Sequence, residues 1–368
     1  MLGLGTASAD TPPLPAIGPQ LTDLGLTLSA SEREAGERFL AAHATVDLHC
    51  HPGRFFQSDL PFETPTTRAF GPPFIERAVD DLHAGRVTAA LFAGVSDMRL
   101  LEASAQGIRA ARDFGPGEAY ADYRRQVATL RKVTTRRYAA RGLSVPDIDS
   151  AFRRHETAIV FSIEGGDFIE QRLDRVHEAH RDGVRAITLV HYHVNQIGDI
   201  QTEPEVHSGL TPFGRDVVRE MNATGILVDL AHATHAVTRD AVAVSSRPMM
   251  ISHTNLASSE AHHPRLVSLE HAKLVSEAGG LIGSWPSGIG QTTFAGYVDS
   301  IARLVDAVGI DHVGIGTDMD ANYRPVFTSY RDWSLIPAAL LARGLATSDV
   351  AQIMGGNFLR VLGAVQAR

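Results

Sequence analysis

The sequence has little with which to staple, anchor or positively charge itself. A single cysteine, Cys50, in 368 residues rules out an internal disulfide, so the fold rests on burial and hydrogen bonding and the redox compartment stays open. No stretch approaches the roughly 20 apolar residues that span a bilayer, and the tail LGAVQAR carries no lipid-anchor signal. Basic residues number 34 against 42 acidic ones, a formal net charge of -8, which argues against nucleic acid or anionic lipid as a general partner. Lysine is the scarcest charge, present only as Lys132 and Lys273. No repeat, linker or charge block divides the chain.

The start, MLGLGTASADTPPLP, ends a short apolar run with Ala7-Ser8-Ala9. That is the small-residue pattern of an export cleavage site without the usual basic and extended apolar regions. It reads either as a truncated signal or as a proline-rich start, and leaves the compartment open between cytoplasm and export.

What is present is a large potential core, with 44% hydrophobic and 21% charged residues. Apolar, β-branched runs recur at 44–49, 86–95, 157–165, 184–191, 225–232, 248–253, 279–285 and 311–318. Such continuous runs fit strands buried on both faces of a parallel sheet. Between them lie amphipathic helical stretches: 74–85, the arginine-rich 115–142, 168–183, 211–225, 234–245 and 268–280, several ending in glycine. Strands alternating with helices predict an α/β fold, a (β/α)8 TIM-like barrel over 43–332. Residues 1–42 would form an N-terminal segment and cap, and 333–368 terminal helices packing on the barrel, the last beginning near Thr347. The interval 96–156 is long for one crossover and predicts two helices.

Seventeen histidines are the unusual abundance, and several fall where such a barrel does its chemistry, at the C-terminal ends of the strands. His49 and His51 follow the first run, Glu164 the third, His191 the fourth, His232 the fifth, His253 the sixth and Asp318 the eighth. Any one of them alone is an ordinary loop residue, but together they are the imidazole and carboxylate set that holds zinc in catalytic sites. Two metals side by side need a bridging anion. With both lysines in helical stretches, a carbamylated lysine is not on offer, and Glu164 is the best bridge. A hydroxide held between two such ions is a nucleophile at neutral pH, and Asp318, with Asp320 ranked second, is placed to take its proton and return it to a leaving amine. Cys50, between His49 and His51, should point away from them into the core.

With these residues in view, the chain closely resembles the membrane (renal-type) dipeptidase family, peptidase family M19 of the amidohydrolase superfamily, over roughly 43–365. The stretches that carry the resemblance are GLTPFGRDVVREMNATGILVDLAHAT, ISHTN followed by HHPR, DHVGIGTDMD and MGGNFLRVL. The resemblance implies a binuclear zinc hydrolase, two Zn2+ per chain, that cleaves free dipeptides and tolerates a D-residue at the C-terminal position. His49 and His51 would bind one zinc, His232 and His253 the other, and Glu164 would bridge. His191 would stabilise the tetrahedral oxyanion and Arg265 would pair with the substrate carboxylate. Tyr192 and Asn322 are further candidate substrate contacts. The family also includes dimers, so a homodimer is an option for which the sequence carries no interface signature.

Three departures stand out. The family has His-x-Asp after the first strand where this chain has His-Cys-His, which removes a negative charge from the site. The loop 52–73 is longer than the family pattern, and GGLIGSWPSG lacks the usual asparagine-aromatic pair. These altered mouth loops motivate an alternative in which the same metals serve N-acyl amino acids, β-lactams or related cyclic amides. A non-catalytic metal-binding descendant is disfavoured by the retention of every ligand-type residue. His193 and Asn195 flank His191, and His235, His262 and His263 read as surface or supporting residues.

Overall fold

The eight apolar runs become eight parallel strands, hydrogen-bonded in sequence order. They are β1 (Val46–Cys50), β2 (Ala89–Val95), β3 (Thr157–Glu164), β4 (Val184–Thr188), β5 (Leu227–Asp229), β6 (Met250–Thr254), β7 (Leu281–Ser284) and β8 (Val313–Ile315). The computed structural model describes residues 24–61, 63–104, 107–259 and 261–367; the Ala7-Ser8-Ala9 pattern lies outside them. Every residue of these strands is buried, as expected of a sheet covered by helices outside and packed within. Among the described residues, no helix is long and apolar enough to cross a membrane.

The barrel closes just beyond the end of β8. The Asp318 amide donates to the His49 carbonyl at 2.8 Å and the His51 amide to the Met319 carbonyl at 2.9 Å, around a parallel bridge between Cys50 and Met319. Asp47 reinforces this seam, accepting the amides of His49 and Thr317 and the Tyr330 hydroxyl. At the opposite end, the terminal helix Asn357–Gln366 packs Phe358, Val361, Leu362 and Val365 against Val46, Leu91, Val160 and Leu281. The N-terminal helix α1 (Ala30–Ala42), started by a Ser29–Glu32 capping box, packs on the helix Leu335–Ala342. Their contact needs Gly36, where a Cβ would lie 2.3 Å from the Ser334 carbonyl oxygen.

Three segments differ from the sequence expectation. The β2–β3 crossover carries its two helices, Glu118–Val133 and Val145–Arg154, but also an antiparallel hairpin, Leu101–Ser104 with Gly107–Ala110. The arginine-rich stretch is helical only to Val133. There the Thr134 and Thr135 hydroxyls take up the carbonyls of Arg131 and Lys132, and Ala139–Arg141 leaves the helix to pair with β3. The helix expected from 168 begins at Asp174, because Glu170 and Gln171 sit at φ 45° and 60° and cannot continue a right-handed helix.

Candidate metal and substrate site

Strand geometry sets the depth of the site. On β3 the side chains alternate, so Ala158 and Val160 share a face with Ser162 and Glu164, and Glu164 is the last and uppermost of them. On β1 a register shift between Asp47 and Cys50 sends Cys50 outward. Its thiol donates to the Leu91 carbonyl at 3.3 Å, and burial holds it well above an ordinary thiol pKa, so it offers no thiolate to a metal. His49 and His51 are left facing the mouth. His232 and Asp318 sit at φ 66° and 54°, left-handed conformations that turn the chain as it leaves β5 and β8 and aim both side chains back over the barrel.

Glu164 is the centre on which the histidines converge. One carboxylate oxygen lies 3.3 Å from His49 Nε2, 3.0 Å from His232 Nε2 and 3.7 Å from His253 Nε2. The other lies 3.5 Å from His51 Nε2 and 3.3 Å from His191 Nε2. Two trios with ligand-capable atoms mutually within 4.8 Å share this carboxylate, His49–His51–Glu164 and Glu164–His232–His253, and a third joins His49, His253 and Asp318. Asp318 also approaches His51 Nε2 at 3.2 Å. All of these side chains are buried.

The donor chemistry fits a divalent cation. Arg265 Nη2 donates to His232 Nε2 at 3.1 Å and to His253 Nε2 at 3.0 Å. A guanidinium only donates, so His253 Nε2 presents a lone pair, the state that ligates a metal, while His232 Nε2 is shared between Arg265 and the Glu164 carboxylate at 3.0 Å. Burial, with the Arg265 charge nearby, holds both rings well below the usual histidine pKa and hence neutral. His49 differs: burial opposes its charging, but Glu164 outweighs it and carries the pKa up to about 9. Glu164 is correspondingly kept well below the carboxylate range, where burial alone would raise it, by His191 and His49. Without a metal, protons on the rings balance the buried carboxylate.

A second layer orients these rings. His51 Nδ1 meets the Ala93 carbonyl at 2.7 Å, and Ser252 Oγ lies 3.2 Å from His49 Nδ1 and 3.0 Å from His253 Nδ1. His191 Nδ1 meets Asp97 Oδ1 at 2.6 Å, while the other oxygen of Asp97 accepts the Tyr192 amide at 3.0 Å. Burial works against charge on His191, yet Asp97 and Glu164 together raise its pKa. Gln201 Oε1 accepts from Arg265 Nη1 at 2.7 Å, and the guanidinium carbon lies 5.4 Å from the Trp285 ring centroid. Sequence reasoning did not single out Asp97, Ser252, Gln201 or Trp285. Ser252 could have been found beside His253; the other three reach the site only through the fold.

The cleft above Glu164 is lined by His51, His191, His232, His253, Arg265, Tyr192 and Asp318, with an apolar wall opposite Arg265. Asn322 is outside this lining: its side-chain amide donates to the Thr317 carbonyl at 3.0 Å, and its Oδ1 has no hydrogen-bond partner among the described residues. Asp320 is used by the Gly53 amide at 2.7 Å. His193 pairs with Asp167 at 2.7 Å, Asn195 braces its own loop, and His263 Nδ1 accepts the Arg265 amide at 3.1 Å.

Residues 37–368 match the family model described as membrane dipeptidase, peptidase family M19. The chain is similar to the dipeptidase tcpJ of Claviceps purpurea, 33% identical over 229 residues that make up 60% of this chain and 54% of that protein. The matched region thus spans about half the length of the curated relatives. Among solved structures, the fold is similar to an amidohydrolase from Pseudomonas aeruginosa, with TM-score 0.72 and 20% identity over 90% of this chain and 98% of that one. It is also similar to a metallopeptidase from Rhodobacter sphaeroides bound to a phosphinate mimic of the dipeptide L-Ala-D-Ala, with TM-score 0.73 and 18% identity over 88% and 99% of the two chains.

Proposed function

The chain belongs to the membrane dipeptidase family, peptidase family M19, and from that premise we propose that it is a zinc-dependent dipeptidase acting on free L-L and L-D dipeptides. The observation that carries the reading is a single buried carboxylate, Glu164, shared by two histidine pairs at the floor of a cleft that also holds an arginine. His49, His51 and Glu164 would hold one zinc ion, and Glu164, His232 and His253 the other. Zinc bound there would lower the pKa of a water to give a nucleophile near neutral pH and would polarise the scissile carbonyl.

The chain's own residues supply the remaining steps. Arg265 draws in the substrate carboxylate; its Nε has no hydrogen-bond partner among the described residues, so the guanidinium keeps donor capacity for a ligand. Asp318 takes the proton released as the carbonyl becomes tetrahedral and returns it to the departing amine. His191 faces the developing oxyanion with Nε2, its ring fixed through Nδ1 by Asp97. Tyr192, which lines the cleft, completes the proposed substrate contacts. His51, where the family has aspartate, makes the ligand set one negative charge poorer.

The test is an assay of zinc-reconstituted protein, with a chelated control, on free dipeptides and their N-acetylated counterparts. Metal-dependent release of amino acids from the free dipeptides alone is the expected result. Cleavage confined to the blocked substrates would move the function to deacylation on the same metal site.

A further inference from the structure

The cleft has two chemically different sides, and the side away from Arg265 bears on which dipeptides enter. There Phe56 meets His51 edge-on at 5.4 Å and Phe70 at 5.8 Å. Val95, Met98 and Leu101 join them in a small apolar cluster separate from the barrel core, with Ile108 packed on it. The wall is constructed rather than incidental. The fully buried Thr66 donates its hydroxyl to the Leu101 carbonyl at 2.8 Å and accepts the Ala103 amide at 3.2 Å, tying the helix Pro65–Phe70 to the hairpin. On the hairpin's other strand, the Ala110 amide donates to the Tyr192 carbonyl at 3.3 Å. Both segments are additions between early barrel elements, the long loop after β1 and the hairpin after β2. Histidines aside, the charged side chains lining the cleft among the described residues are Glu164, Arg265 and Asp318, and none of these lies within the apolar cluster.

We propose that this wall receives the side chain of the substrate's N-terminal residue and selects dipeptides whose first residue is large and apolar. The inference rests on the dipeptidase reading above. With the substrate carboxylate at Arg265 and the peptide bond over Glu164, the first residue falls on the His51 side of the cleft. Its side chain then meets Phe56, Phe70, Met98 and Ile108. A leucine or phenylalanine there leaves water for apolar surface, whereas a carboxylate would lose hydration and gain no partner. Ile108, half-buried on the hairpin, is the specificity-determining position.

The experiment compares kcat/KM of the zinc-loaded full chain on X-Ala dipeptides, with X as Gly, Leu, Phe, Asp or Lys, and on the reversed Ala-X series. Leu-Ala and Phe-Ala are expected to exceed Gly-Ala by about tenfold or more, the worth of a few buried methylenes, with Asp-Ala and Lys-Ala below Leu-Ala. Ile108→Asp is expected to cut the Leu-Ala to Gly-Ala ratio about tenfold, mainly through KM, with Phe70→Ala as the second variant and melting temperature as the check on folding. A parent ratio within twofold of unity, a preference seen only in the Ala-X series, or a ratio unmoved by both variants overturns this proposal and leaves the dipeptidase reading standing. Failure to cleave any free dipeptide overturns both.

Discussion

Along β3 the inward side chains run Ala158, Val160, Ser162, Glu164; β5 runs Leu227 to Asp229 and β6 Met250 to Ser252. The lower half of this interior joins Val46, Leu91 and Leu281 and is sealed by Phe358, Val361 and Leu362 of the terminal helix. The upper half carries the histidines around Glu164. Two residues of rise along a strand, roughly 7 Å, separate the two regimes. The lower end contributes burial and asks nothing of protonation. The upper end buries a carboxylate and imidazoles that must be balanced by protons or metal, an arrangement that costs stability unless every partner is in place. One set of strands can carry both because the lower half stabilises what the upper half strains.

The largest effect that would sharpen this contrast is at Glu164. Glu164→Gln keeps the side chain's size and removes the charge that both histidine pairs face. We expect kcat/KM on dipeptides to fall by about a thousandfold or more, with fewer than two zinc ions retained per chain by elemental analysis. The melting temperature of the metal-free protein should fall as well, since the protons on His49 and His191 lose the carboxylate that balances them. A large fall in the melting temperature with zinc still fully bound would place Glu164 with the structural half instead.

The converse change is Phe358→Ala at the lower end. Removing a fully packed ring there is expected to cost about 3–5 kcal/mol of unfolding free energy in denaturant titrations, while kcat/KM per folded molecule stays within twofold. Activity lost in proportion to more than the unfolded fraction would mean that the two ends are coupled.

The same divide explains what could be read in the sequence. All eight strands were legible because parallel strands buried on both faces leave continuous apolar runs, and the Glu164 cluster was legible because the ends of those runs are where such a barrel collects its polar residues. The hairpin at 101–110 was not, since LEAS and GIRA are too short and too mixed to show a period. Asp97 was not either: it reaches His191 across 94 residues of sequence, and no local spacing records a meeting between the ends of β2 and β4. Where the helix at 115–142 ends was missed for a local reason, the paired threonine hydroxyls that take up its last carbonyls. Trp285 stood in a segment already marked as unusual, yet its place over Arg265 depends on the turn after β7.

A smaller effect separates the histidines that serve the site from one that serves only the fold. His271, on the helix Leu269–Glu277, packs against the helix His235–Val244 with its Nε2 2.7 Å from the Thr238 hydroxyl. Among the described residues no carboxylate pairs with it, and burial, with His235 nearby, pushes its pKa down to about 4. The folded-state value therefore lies below the unfolded one of about 6.5. As pH falls, the unfolded chain takes up this proton first, so the contribution is complete above about pH 6.5 and is lost progressively down to about pH 4, at about 1.4 kcal/mol per pH unit. Between pH 7 and pH 5 the stability difference between the parent and His271→Gln should shrink by about 2 kcal/mol. Urea titrations at the two pH values, with chelator present so that metal release does not contribute, measure it. A difference that stays constant would mean that the ring opens to solvent or finds a counter-charge, and His271 would then belong with the balanced histidines of the upper barrel rather than with the neutral packing of the outer helices.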